Sequence, residues 1–209
     1  NLLVADYQAR LHYFLDHTDQ NHIDHRLHGR ISLLASPFSL KAEDTFLKTS
    51  DREDTDYSDR VERIENTARA ALIYLGNKFQ VQGGYENYLF RYDEDIYQPY
   101  DHMEHRGILT GFLQLAPKSK ALLEYTYNRI LYDENKDRDG YYNELRAGFV
   151  GEITAKLTGT AKVGYQERLY REDSVWDDYR GVVGYLLLEQ VFSKEHDLRL
   201  AWERRAEES

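Results

Sequence analysis

The feature that most constrains the fold is a long alternation of apolar and polar residues that repeats along the chain. Within residues 118–132, most odd positions carry apolar side chains and most even positions carry polar ones. Successive residues of a β-strand point to opposite faces, whereas a helix would scatter the two sets around its axis. The alternation therefore predicts β-strands that have one apolar and one polar face.

Eleven segments show this pattern. The predicted strands are residues 2–15, 23–35, 38–48, 61–75, 78–92, 102–115, 118–132, 141–155, 158–171, 178–191 and 196–207. Strands of soluble proteins usually have about 5–6 residues. A strand of roughly 14 residues, tilted by ~40°, spans about 35 Å, which is enough for the hydrocarbon core and both interfaces of a membrane.

The connections between the predicted strands alternate between tight and long. Tight turns lie near Ser36, Gly76, Ala116 and Leu157, whereas long polar connections cover 16–22, 49–60, 93–101, 133–140 and 172–177. This arrangement is typical of an antiparallel up-and-down transmembrane β-barrel in a bacterial outer membrane, with short periplasmic turns and long extracellular loops. A soluble antiparallel sheet protein would show the same alternation, but it would not need strands of this length.

Composition excludes several classes of function. The chain has no Cys, so it has no disulfide scaffold, zinc-thiolate site or thiol nucleophile. Its formal net charge of −10 argues against nucleic acid as the main partner. No serine lies in a recognisable nucleophile motif, and we expect neither an enzyme nor a cofactor.

The apolar face of the predicted strands should contact outer-membrane lipid and lipopolysaccharide. The residues assigned to it are Leu72, Val81, Leu109, Leu113, Leu123, Phe149, Val163, Val183, Leu187 and Leu200. Aromatic residues concentrate near the long connections, where they predict an interfacial girdle. They are Tyr88, Phe90, Tyr92, Tyr132, Tyr141, Tyr142, Tyr170, Trp176 and Tyr179.

The opposite face carries charges of both signs, which must be paired or hydrated inside a membrane protein. The predicted pore-lining residues are Arg63, Glu65, Arg69, Glu86, Glu104, Arg106, Glu124, Glu144, Arg146, Glu152, Lys162, Arg168 and Arg180. They predict either the lining of an aqueous channel or a lattice of salt bridges that conducts nothing. In the second case the barrel would anchor or pair with other proteins.

The odd number of strands has a consequence for closure. In an antiparallel barrel of eleven strands, the first and last strands would run parallel at the seam, and unpaired strand edges are costly in lipid. We therefore expect residues 1–209 to be a single outer-membrane barrel domain that lacks terminal strands, or one that a partner protein closes or plugs.

Four stretches carry a resemblance to a known family: DRVERIENTAR at 59–69, GGYENY at 83–88, LEYTY at 123–127 and GYQER at 164–168. They resemble the outer-membrane β-barrel porins found beside exopolysaccharide-export genes in Gram-negative bacteria. The likeness covers most of the chain from residue 23 onward, and its motifs are structural. It implies an outer-membrane location and a role as a pore or in polysaccharide export, and assigns no function to single residues. Family members are longer, in agreement with a fragment.

Two groups of residues are candidates for metal binding. Five of the eight histidines are His12, His17, His22, His25 and His28. A first hairpin could gather His12, His17 and His28, but we expect polar loop and lumen histidines rather than a metal site. The loop with Asp133, Asn135, Asp137 and Asp139 spaces oxygen ligands like the start of a calcium loop. Arg146 stands where an EF-hand needs Glu, so only weak Ca²⁺ binding is predicted there, and likewise in the acidic stretch 50–56.

Overall fold

The computed structural model describes residues 1–18, 21–50, 61–171, 174–193 and 195–205, and these form one antiparallel sheet of eleven strands. The strands are β1 Leu2–His12, β2 His22–Ala35, β3 Phe38–Thr49, β4 Arg63–Leu75, β5 Phe79–Tyr92, β6 His102–Ala116, β7 Ser119–Tyr132, β8 Gly140–Thr154, β9 Leu157–Tyr170, β10 Tyr179–Val191 and β11 Asp197–Arg204. Each strand pairs with its neighbour in sequence, so the sheet is an up-and-down meander. The predicted all-β, antiparallel fold is confirmed.

Most predicted strand ends agree with the structure to within two residues. The exceptions are β1, which ends at His12 rather than residue 15, and β11, which ends at Arg204 rather than residue 207. The connections alternate as predicted, and two short 3-10 helices, Asp95–Tyr100 and Lys136–Arg138, lie in long ones. The acidic stretch 50–56 lies outside the described residues except for Ser50.

The sheet is open in the described part of the chain. Each edge strand has one neighbour, because β1 pairs only with β2 and β11 pairs only with β10. The eleven described strands therefore do not close into a barrel within this sheet. No helix among the described residues is long and apolar enough to cross a membrane.

A recurring hydrogen bond closes four of the long connections. In each, the backbone N–H of an aromatic residue at or just beyond a strand end donates to a side-chain oxygen that precedes the next strand. The donor–acceptor pairs are Phe14–Asn21 at 2.7 Å, Tyr92–Asp101 at 2.8 Å, Tyr132–Asp139 at 2.7 Å and Tyr170–Asp178 at 3.1 Å. The side-chain oxygen replaces the backbone acceptor that the N–H would have inside the sheet, so it holds the two ends of each connection together.

The register gives the sheet two distinct faces. One face, here called the charged face, carries the cross-strand neighbours Glu86 and Arg106, together with Glu124 and Arg146. The other, here called the apolar face, exposes a large apolar side chain from every strand: Leu3, Leu27, Leu40, Leu72, Val81, Leu109, Leu123, Leu145, Val163, Val182 and Leu200. Exposed leucine and valine on this scale must be covered by lipid or by another protein.

Two assignments to the apolar face are wrong. Val183 pairs with Gly164 and Leu187 with Thr160, and both lie on the charged face, where Val183 is fully buried. The physical reason is that β10 is apolar on both faces, so alternation does not distinguish its two sides. The remaining predicted members of the apolar face lie on it by register.

The predicted aromatic girdle is wrong for most of its members. The register places Tyr88, Phe90, Tyr92, Tyr132, Tyr142, Tyr170 and Tyr179 on the charged face. They pack around one another rather than outward: Phe90 lies 5.0 Å from Tyr92 and 5.4 Å from His102 between ring centroids. Tyr141 is on the apolar face, and Trp176 lies in the connection before β10.

Candidate functional site

The charged face is the candidate functional site, because it gathers nearly all the predicted pore-lining residues. By register, it carries Arg63, Glu65, Arg69, Glu86, Glu104, Arg106, Glu124, Glu144, Arg146, Glu152, Lys162 and Arg168. Arg180 is the exception. It pairs with Glu167 on the apolar face, 2.7 Å away, so its predicted position is wrong.

A chain of ion pairs crosses the charged face from β4 to β6. Arg69 pairs with Glu86, whose other carboxylate oxygen accepts a hydrogen bond from Arg106 at 2.9 Å. Arg106 also contacts Glu104 at 3.4 Å, and Asn128 of β7 donates to the same carboxylate at 3.1 Å. Each carboxylate therefore has a partner, as charges removed from bulk water require.

A second ion pair joins β7 to β9 across the intervening strand. Nζ of Lys162 lies 2.9 Å from both carboxylate oxygens of Glu124. The residue of β8 opposite Lys162 is Gly148. Because Gly148 has no side chain, it leaves the space through which the lysine reaches Glu124.

The side chain of Arg146 likewise occupies space that is free because a glycine, Gly164, lies opposite it. Its Nη2 donates to Oε2 of Glu144 at 3.0 Å, and its Nε lies 2.7 Å from Oε1 without forming a hydrogen bond. A Cβ at Gly164, its partner on β9, would lie 2.7 Å from Cγ of Arg146. The arginine side chain therefore lies flat over the glycine, and the ion pair is held close to the sheet.

Toward the long connections, charged and aromatic side chains share the face. Arg63 pairs with Glu65 at 2.8 Å, and Tyr88 donates to the other oxygen of Glu65 at 3.4 Å. Arg168 lies over the ring of Tyr142 at 5.3 Å. Aromatic rings therefore occupy part of this end of the charged face. Arg168 gains a cation–π contact there in addition to its polar surroundings.

At the opposite end, the remaining predicted residue lies next to a tight turn. Glu152 accepts a hydrogen bond from Lys118 at 2.6 Å, and this pair joins the ends of β7 and β8. Its position beside the turn gives Glu152 no contact with the ion pairs at the middle of the face.

Sequence reasoning missed the neutral polar residues of this face. Asn128 is fully buried, and Thr110, Thr126 and Gln166 are nearly so. Thr126, Asn128 and Gln166 line a cavity of about 470 Å³ together with the neighbouring ionic groups and with Glu203 and Arg205. The signal was present in the sequence, because these residues share the parity of the charged positions in β6, β7 and β9.

Two carboxylates of the predicted calcium loop have partners within the protein. Oδ1 of Asp139 accepts the N–H of Tyr132, and Asp133 pairs with Arg91 at 3.1 Å. Among the described residues, one group brings three candidate ligands of the His, Asp or Glu type together, and it is formed by His12, His22 and Asp24. His28, which the sequence grouped with His12 and His17, does not belong to this group, and its Nδ1 lies 3.0 Å from Oγ1 of Thr45.

Comparison with known proteins adds no assignment. No protein-family model, curated protein or solved structure gives a significant match to this chain.

Proposed function

We propose that this sheet is part of the wall of an outer-membrane β-barrel channel in a Gram-negative bacterium. The apolar face contacts lipid and lipopolysaccharide, and the charged face lines a lumen that passes a hydrophilic solute. The short turns face the periplasm and the long connections face the outside. The resemblance to exopolysaccharide-associated porins favours a polysaccharide as the solute.

The observation that carries the proposal is the difference between the two faces of the sheet, which is clearest from β2 to β9. Every strand exposes a large apolar side chain on one face, whereas the other face carries paired charges and buried polar groups. A soluble protein would bury the apolar face in its own core, but the described residues form a single sheet, and no second layer of described residues covers its apolar face. Lipid is the environment that stabilises such a face over strands of this length.

A lumen needs both sheet edges to be covered. The free backbone groups of β1 and β11 must form hydrogen bonds inside a membrane, because lipid offers none. We infer that further strands or a partner protein pair with these two edges and complete the barrel.

A second candidate, a non-conducting barrel with a structural or assembly role, also has an observation in its favour. Glu144, Gln166 and Arg168 are nearly buried, and the charges around them are paired at close range. A face filled to this degree between β6 and β9 narrows any passage. In this case the barrel would act as an anchor for partner proteins.

Single-channel conductance in planar bilayers tests the proposal. Arg69→Glu reverses a charge on the charged face, and Arg180→Glu makes the same change on the apolar face. The two arginine side chains are similarly exposed, at 57% and 59%. A channel lined by the charged face predicts a shift toward cation selectivity for Arg69→Glu and none for Arg180→Glu. Inserted but silent protein would favour the structural role, and equal shifts would contradict the assignment of the faces.

A further inference from the structure

Three potential metal ligands converge at the open end of the first hairpin. His12 and His22 are cross-strand partners at the ends of β1 and β2, and Asp24 lies two residues further along β2 on the same face. One ring nitrogen of each histidine and a carboxylate oxygen of Asp24 all lie within 4.8 Å of one another. Imidazole nitrogen and carboxylate oxygen are the ligands that zinc and neighbouring divalent metals accept in proteins without cysteine.

The distances between the ligand atoms fit a single small ion. Oδ2 of Asp24 lies 3.1 Å from Nε2 of His12 and 3.8 Å from Nε2 of His22. Ligand atoms held about 2.1 Å from a tetrahedral zinc ion are about 3.4 Å apart. The two imidazole rings stack with centroids 4.3 Å apart and planes 7° apart.

The carboxylate is held in place by groups that do not belong to the triad. Oγ1 of Thr49 donates to Oδ1 of Asp24 at 2.7 Å, and the N–H of Ser50 donates to the same oxygen at 3.3 Å. This leaves Oδ2 directed at the two imidazoles, as expected of a ligand oriented by surrounding hydrogen bonds. Nε2 of His12 and Oδ2 of Asp24 are buried, and within the described part of the chain neither forms a hydrogen bond.

We propose that His12, His22 and Asp24 bind a divalent transition-metal ion of the zinc class. Three protein ligands leave at least one coordination position for water or a solute. The ion joins the edge strand β1 to β2, and through Thr49 it connects both to β3. The site stands on side-chain geometry alone, so it does not depend on the channel proposal.

Zinc titration of the full chain tests this proposal. The chain is folded in detergent micelles, treated with a chelator and titrated with Zn²⁺ by calorimetry. The test variants are His12→Gln and Asp24→Asn, and the matched controls are His25→Gln and His28→Gln, which lie nearby in β2 but outside the triad. We expect one Zn²⁺ per chain, with affinity at least about tenfold weaker in each test variant and unchanged in the controls. Thr49→Val should weaken binding by a smaller factor, because Thr49 only positions Asp24.

Two results would overturn the proposal. Equal zinc affinity in the wild type and His12→Gln would show that the triad is only an ion pair between histidine and Asp24. Equal loss in His25→Gln would assign the binding to scattered histidines. Should the test variants fail to fold, Co²⁺ added to the wild-type chain decides, since a four-coordinate site with protein ligands gives visible absorption bands far stronger than those of hydrated Co²⁺. Their absence from the folded protein would also overturn the proposal.

Discussion

Lys162 of β9 reaches across Gly148 of β8 and holds both carboxylate oxygens of Glu124 on β7 at 2.9 Å. The pair spans two strand spacings, so it joins strands that share no backbone hydrogen bonds. Both side chains are mostly buried, and this distinguishes them from the exposed Arg180–Glu167 pair. The charged face is therefore tied together by side chains as well as by the sheet ladder.

A double-mutant cycle should detect the interaction between Lys162 and Glu124. Lys162→Met and Glu124→Gln should each lower the free energy of unfolding, and their coupling energy should be about 1 kcal/mol, because the pair is shielded from solvent. The measurement is the urea midpoint of the chain folded in lipid vesicles. The same cycle on Arg180 and Glu167 is the control, and its coupling should be smaller because that pair is exposed. Equal coupling energies would contradict the account.

Gly148 is required for its lack of a side chain. A Cβ at this position would lie 2.2 Å from the carbonyl oxygen of Ala161, so the backbone of β9 would have to move. Gly148→Ala should therefore lower the free energy of unfolding by roughly 1–3 kcal/mol. Gly107→Ala is the control, since nothing lies within 4 Å of its added Cβ. If the two substitutions cost the same, close packing at Gly148 is not what matters.

Lipid contact predicts an asymmetric response to an added charge. Leu123 is 55% exposed in the middle of β7, and Val175 is 84% exposed in the connection before β10. Leu123→Arg should lower the stability of the vesicle-inserted protein by about 2–4 kcal/mol, because the cation would lie in hydrocarbon. Val175→Arg should change stability little. If both substitutions are tolerated, the apolar face is in water or covered by protein.

The hydrogen bond from Tyr132 to Asp139 should protect one backbone amide. Asp139→Ala removes the acceptor, so the amide of Tyr132 should exchange with solvent faster in hydrogen-exchange measurements. Asp137→Ala is the control, because Asp137 is an exposed residue of the same connection. Unchanged exchange in Asp139→Ala would show that the side-chain hydrogen bond does not close this connection.

The sequence was sufficient to locate the strands because most of them are long enough to contain several apolar–polar alternations. One residue that breaks the pattern therefore does not hide it. Strand β7 shows this, since Leu123, Tyr125 and Tyr127 are exposed on the apolar face while Glu124 and Thr126 lie on the other. Alternation fails where both faces are apolar, as at Val182 and Val183. Alternation also fails near a strand end. Arg180 is a charged residue at the start of β10, but by register it lies on the apolar face opposite Glu167.

The metal triad was not predictable from residue spacing alone. The pairing of His12 with His22 depends on the register of the first hairpin and on the end of β1. The sequence suggests His12, His17 and His28 as a possible group instead, and it places the end of β1 at residue 15 rather than at His12. Asp24 gave no separate signal, because its role depends on Thr49 from β3. Contacts between strands require the register, which alternation does not supply.

The most direct test of the central claim is spin-label accessibility along β7 in lipid vesicles. The chain has no cysteine, so single Cys substitutions at residues 122–127 give one label each. We expect oxygen, which concentrates in lipid, to reach labels at Leu123, Tyr125 and Tyr127 most readily, and we expect a water-soluble nickel chelate not to reach them. Accessibility should then alternate with a period of two residues. If the nickel chelate reaches these three positions as readily as it reaches positions 122, 124 and 126, the claim that the apolar face contacts lipid is contradicted.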